Sequence, residues 1–124
     1  MSRGILDTSV LIAEDVSPIP GELAVSVISI AELQFGVLVA GDEARAGRLS
    51  RLSAVQRRFT PLPVDEAVVD SYARLAARVV QVGRQPRAND LLVAATAHAY
   101  GATVYTRNAK ELAGLEDMVS IASA

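Results

Sequence analysis

With 124 residues, 51% of them apolar, and no cysteine, the chain has material for one hydrophobic core but none for a disulfide framework, a thiolate nucleophile or a cysteine-held zinc. A single histidine, His98, excludes two-histidine catalysis within one chain, and no apolar run approaches the roughly 18–20 residues of a membrane span, so one cytoplasmic domain over residues 1–124 is expected. The net charge of −2 alone argues against nucleic acid, yet between residues 45 and 87 nine arginines face only Asp65, Glu66 and Asp70, leaving a basic middle between acidic ends.

The first stretch, Gly4-Ile5-Leu6-Asp7-Thr8-Ser9-Val10-Leu11-Ile12, reads as a buried strand that delivers Asp7 to its carboxyl end, where a helix over Thr8 to Asp15 begins. In open α/β sheets that edge is where ligands bind. Asp, Thr and Ser are also ordinary helix N-caps, so Asp7 is open to capping and to chemistry alike. Val16 to Gly21, with Pro18 and Pro20, is a loop, and Leu23 to Ile28 is a second β-rich run. Ser29-Ile30-Ala31-Glu32 has the form of a capping box, opening a helix through Leu33, Phe35, Val37 and Leu38 that Gly41 ends.

Glu43 to Phe59 is a long helix with Leu49, Leu52, Val55 and Phe59 on one side and Arg45, Arg48 and Arg51 on another. Those arginines suit a polyanion, but nothing aromatic is interleaved with them and a solvated face is the plainer reading. Pro61-Leu62-Pro63-Val64 is a connector or edge strand; Asp65 to Val82 is a helix with Val68, Tyr72, Leu75, Ala76 and Val79 as its buried stripe. A polar loop, Gly83 to Ala88, leads to Asn89-Asp90-Leu91-Leu92-Val93-Ala94-Ala95, a helix apolar on nearly every side and therefore central. His98 on that helix reads as structural, and Tyr100 and Tyr105 as packing groups. Gly101 ends the helix, Thr103-Val104-Tyr105 is a buried strand, and Thr106-Arg107-Asn108 stands at its carboxyl end before a short helix. Val119-Ser120-Ile121 closes the chain's elements as an edge strand. The alternation of strands and helices predicts an α/β sandwich with a mostly parallel sheet.

Asp7, Glu32 and Asp90 each lie in or beside the first turn of a helix with an apolar stripe, and in a parallel sheet they converge on one edge, joined there by Asn108 and Glu111. Each has an ordinary explanation, since helix amino termini favour carboxylates by roughly 0.3–1 kcal/mol. Convergence separates the two explanations. Clustered carboxylates repel and raise one another's pKa, with no benefit unless a cation sits among them. Hard oxygen donors without His or Cys select Mg²⁺ or Mn²⁺, and such a metal suits the cleavage of phosphodiesters.

Leu6-Asp7-Thr8-Ser9, Ser29-Ile30-Ala31-Glu32-Leu33, Asn89-Asp90-Leu91-Leu92-Val93-Ala94-Ala95 and Thr106-Arg107-Asn108 together resemble, in order, the four signature segments of PIN-domain ribonucleases. The likeness covers essentially the whole chain, and its length resembles the VapC toxins of type II toxin–antitoxin pairs. The resemblance implies a PIN-like three-layer sandwich with a central, mostly parallel sheet flanked by helices. It implies endoribonuclease activity with Mg²⁺, for which Mn²⁺ can substitute, a homodimer, and inhibition by a cognate VapB-type antitoxin. Carried onto this sequence, the catalytic acids are Asp7, Glu32 and Asp90. Asp7 and Asp90 are metal ligands, Glu32 a ligand or the holder of a water, and Thr8 or Ser9 supports Asp7 or a metal-bound water. At the fourth position many relatives carry Asp; here the candidates are Asn108 and Glu111. Arg84 and Arg87, in the loop just before Asp90, suit an RNA phosphate and equally an ordinary solvated loop.

Two other enzyme classes fit less well. A receiver domain would need an acidic pair after the first strand, and an aspartyl-nucleophile phosphatase a second Asp where Ser9 stands. A PIN-like module that binds RNA or protein without cutting is the remaining alternative.

Overall fold

The computed structural model describes residues 2–124. Four short strands, β1 (Arg3–Leu6), β2 (Glu22–Ala24), β3 (Thr103–Thr106) and β4 (Ile121–Ser123), form one sheet in the order β2-β1-β3-β4, with every neighbouring pair parallel. Parallel neighbours require crossovers, and helices supply them: α1 (Thr8–Leu11), α2 (Val27–Leu38), α3 (Asp42–Arg58), α4 (Glu66–Gln81) and α5 (Ala88–Ala99). The expected α/β fold with a parallel sheet between helical layers is what the chain adopts.

Side-chain alternation along β1 divides the core. Ile5 points into a cluster with Val68, Leu75 and Val79 of α4 and the apolar face of α5, whereas Leu6 points into a second with Val10, Ile30, Leu33, Leu52 and Val55 from α1, α2 and α3. Gly4 shares the side of Leu6, and a Cβ there would stand 2.7 Å from Tyr105 Cε2 and 3.0 Å from Leu23 Cδ2, so the central strand is closely flanked at that point.

From β1 the chain moves outward to β2 and later returns to β3 on the opposite side of β1. The boundary between β1 and β3 is therefore the switch point at which open parallel sheets leave a crevice beyond their carboxyl ends. Asp7 follows β1 directly, and its backbone N–H donates to the Tyr105 carbonyl at 2.9 Å, extending the β1–β3 pairing to the rim.

Several boundaries differ from the sequence reading. Helix α1 is a single turn that stops at Leu11, because nothing caps a continuation toward Asp15 and the chain must bend into the proline-bearing loop. The strand expected over Leu23 to Ile28 is found at Glu22–Ala24, and the N-cap of α2 lies three residues before the expected one. Ser26 is the true cap, its wholly buried hydroxyl accepting from the Ile28 N–H at 3.0 Å. Ser29 and Glu32 consequently lie within α2. Gly41 opens α3 as its N-cap and does not end α2, whose C-cap is Val39. Leu62 forms only an isolated bridge to Ser26, so Pro61 to Val64 is a connector, and the last strand lies two residues beyond the expected start, at Ile121. Among the described residues no helix is long and apolar enough to cross a membrane.

Candidate active site

A cleft of about 970 Å³ opens at the carboxyl rim of the sheet, and Asp7, Glu32 and Asp90 all line it. Each comes from a different element: the end of β1, the second turn of α2 and the first turn of α5.

Asp7 occupies the N-cap position of α1, but its side chain makes no capping hydrogen bond. Its carboxylate is instead fixed through Oδ2, which accepts from Ser9 Oγ at 2.7 Å and from Thr106 Oγ1 at 2.9 Å. Asp7 is 7% exposed and Thr106 2%, so these bonds lie in a largely dry environment where a carboxylate without donors would be costly. Because both hydroxyls act on Oδ2, and no buried side-chain oxygen among the described residues lacks a partner, Oδ1 is the oxygen left toward the cleft. The same hydroxyls fix the loop after β3: Ser9 Oγ accepts from the Arg107 N–H at 2.9 Å and Thr106 Oγ1 from the Asn108 N–H at 3.0 Å.

Thr8 serves a different acid. Its hydroxyl donates to Glu32 Oε1 at 2.6 Å and lies 3.0 Å from the wholly buried Ser29 hydroxyl, tying α1 to α2. Glu32 therefore takes no part in capping. Its carboxylate is free for the cleft, oriented by a threonine from the segment that carries Asp7.

Asp90 is paired with Arg87, the N-cap residue of α5, whose Nε lies 3.3 Å from Oδ2 and whose Nη2 lies 3.5 Å from Oδ1. The same guanidinium is 3.8 Å from Glu32 Oε2. The hydrogen bond to Asp90 and its charge, then the charges of Glu32 and Asp7, raise the Arg87 pKa above its ordinary value. Arg87 thus stands against Asp90 and Glu32 together, and Asp7 lines the same cleft. The donor set consists of carboxylate, hydroxyl and amide oxygens, a hard set suited to Mg²⁺ or Mn²⁺. Among the described residues no three acidic, His or Cys side chains close into a metal cage on their own. Mg²⁺ asks for less, since it commonly binds one or two carboxylates and completes its octahedron with water and phosphate oxygens.

Of the two candidates for the fourth position, Asn108 lines the cleft, while Glu111 is exposed on the 3-10 turn Ala109–Leu112 and is not part of the lining. Arg87 lines it as well. Arg84 does not: its Nη2 donates to the Lys110 carbonyl at 2.6 Å, bracing the loop before α5 against the 3-10 turn. His98 is engaged in the α4–α5 layer, Nδ1 lying 2.7 Å from Ser71 Oγ.

Residues 5–113 match the family model of the PIN domain. The chain belongs to the PIN domain family. Ribonuclease VapC8 of Mycobacterium tuberculosis is 44% identical over 100 residues, spanning 76% of this chain and 89% of that protein. Ribonuclease VapC5 of the same organism is 38% identical and spans 97% and 93%. Among solved structures, that of VapBC-5, a member of the VapBC family of toxin–antitoxin systems from Mycobacterium tuberculosis, superimposes with a TM-score of 0.87 at 38% identity, covering 99% of this chain and 98% of that one. This PIN domain is therefore of the VapC type.

Within the PIN domain, sequence reasoning missed Thr106 and Ser29. A hydroxyl residue ending a strand beside the one that carries the key acid is the available signal for Thr106. For Ser29, the capping-box pattern pointed to the wrong role.

Proposed function

We propose that this PIN domain is an endoribonuclease that needs Mg²⁺ or Mn²⁺ and is the toxin of a VapBC-type pair. The observation that carries the reading is that Asp7, Glu32 and Asp90, from three elements, line one cleft at the carboxyl rim of the sheet. Asp7 and Asp90 would hold the metal, with Glu32 as a further ligand and the Asn108 amide oxygen as a neutral one. Bound there, a divalent ion polarises a phosphodiester oxygen and lowers the pKa of a water.

The chain's own groups do the rest. Ser9 and Thr106 hold Asp7 to one orientation, so its free oxygen needs no reordering when substrate arrives. Thr8 fixes one oxygen of Glu32 and leaves the other to the metal or to holding a water beside it. Arg87, 72% exposed, can turn from Asp90 to a phosphate of the RNA while remaining near the acids.

The partners in this reading are RNA, a VapB-type antitoxin and a second copy of the chain. Leu38 at 78%, Val39 at 59% and Leu49 at 50% exposure on the α2–α3 hairpin support a protein interface, since a core would not leave them in water without cause.

The test is incubation of purified chain, freed of any antitoxin, with total cellular RNA in Mg²⁺, in Mn²⁺ and in chelator. Folded Asp7→Asn and Asp90→Asn variants are run beside it. Discrete metal-dependent fragments that fall at least a hundredfold in both variants are expected. Equal inertness of wild type and variants would instead favour a PIN domain that binds RNA or protein without cutting.

A further inference from the structure

The geometry points to a nucleobase-stacking subsite one helical turn from the acids: Phe35 supplies the stacking face, and Arg48 and Arg51 hold the phosphates of the same unpaired strand. The inference rests on the nuclease reading and assigns the substrate contacts beside its acids.

Ile28, Glu32, Phe35 and Gly36 recur on α2 at the spacing of one helical face, and all four line the cleft, so Phe35 stands one turn beyond Glu32. Phe35 is 65% exposed. The other phenylalanine, Phe59, is packed against the second core cluster. Arg48 reaches across from α3 and donates from Nη1 at 2.8 Å to the carbonyl of Gly36, the residue after Phe35. Arg51, one turn on, also lines the cleft, and its ion pair is a 3.9 Å contact with Glu14, whose side chain is 91% exposed. An anion displaces so weak a surface pair readily.

The third arginine of the row marks the boundary. Arg45 is committed to the Ala40 carbonyl and to Asp42, and it does not line the cleft. The missing aromatic partner of the arginines is thus supplied across the hairpin, by a residue distant in sequence. An exposed ring and two guanidinium groups that line one cleft with the acids combine the elements by which proteins hold single strands: a π-face for a base and cations for the backbone. A base inside a duplex has no free face to offer.

The test is fluorescence anisotropy with a labelled unpaired oligoribonucleotide and a duplex of the same sequence, both in chelator and with Asp7→Asn protein, so that binding is read without cleavage. Phe35→Ala is expected to weaken binding of the unpaired strand about fivefold or more, with little change for the duplex. Arg48→Gln and Arg51→Gln should each lower the slope of log affinity against log salt by about 0.7, one phosphate's share for a single strand. Unchanged RNA affinity and salt slope in all three variants, with wild type still cutting RNA, overturns the subsite and leaves the nuclease reading intact. Loss of binding to an antitoxin with RNA binding unchanged would assign the face to protein and overturn the subsite equally. Wild type that neither binds nor cuts RNA removes both.

Discussion

Helices α5 and α3 lie over opposite faces of the sheet and both send side chains into the cleft, yet they are anchored very differently. Six of the twelve residues of α5 are buried, and only Leu52 and Val55 of the seventeen in α3. On α5 the runs Val93 to Ala97 and the facing Leu75 and Val79 of α4 fill space completely, and Asp90 is carried on the first turn of that rigid body. Helix α3 presents its arginines from a wall held by two core residues, by contacts along the hairpin and by Arg48 itself. The division follows the work proposed for each wall. Acids that share a cation must keep their spacing within fractions of an ångström, whereas groups that attract a flexible polyanion need only be near.

Leu75→Ala strikes the anchored wall at a side chain with no exposure. It should cost ~2–5 kcal/mol, read as a fall in the urea midpoint with the slope unchanged. A loss below ~1 kcal/mol would mean that the α4–α5 layer collapses around the gap and is no firmer than its counterpart. Ser26→Ala removes the cap of α2, the helix that carries Glu32 and Phe35. About 1 kcal/mol is expected, with amide exchange speeding first at Ile28 and its neighbours.

The third test concerns pH. The hydrogen bond from Arg107, and then its charge, hold the Asp15 carboxyl below its ordinary value, so the pair's contribution is complete above roughly pH 4. That contribution is lost as pH falls toward the depressed value, because the unfolded chain takes up the proton first. Arg107→Gln should therefore narrow the difference in Tm between pH 6 and pH 3, slightly, since Asp15 lies open to solvent; a wider difference would refute the assignment. Leu38→Ser, at the exposed tip of the lightly anchored hairpin, should change stability by less than ~0.5 kcal/mol. A larger loss in the isolated chain would show that the hairpin is structurally committed after all.

The order of elements was legible because β1, α4 and α5 announce themselves by period and by apolar content. The shared edge for Asp7, Glu32 and Asp90 followed from that order. What escaped were distinctions that short patterns do not make. Ser26 and Ser29 are the same residue type three positions apart, yet Ser26 caps α2 while Ser29 meets Thr8 of α1, a contact no local pattern contains. Thr8 and Ser9 are adjacent hydroxyls, and the direction of the first turn of α1 sends one to Glu32 and the other to Asp7. A scan along α3 has no view of Phe35, which lines the same cleft as Arg48 and Arg51 from the partner helix of the hairpin.

Position 4 illustrates how far the chemistry reaches into residues that take no part in it. Gly4 lies on the strand that delivers Asp7, paired on both edges, with the Tyr105 ring and Leu23 already standing where a side chain would go. Even alanine there must push aside Tyr105, the residue whose carbonyl holds the Asp7 backbone at the rim. The placement of the acid thus depends on a carbon that is missing three residues before it.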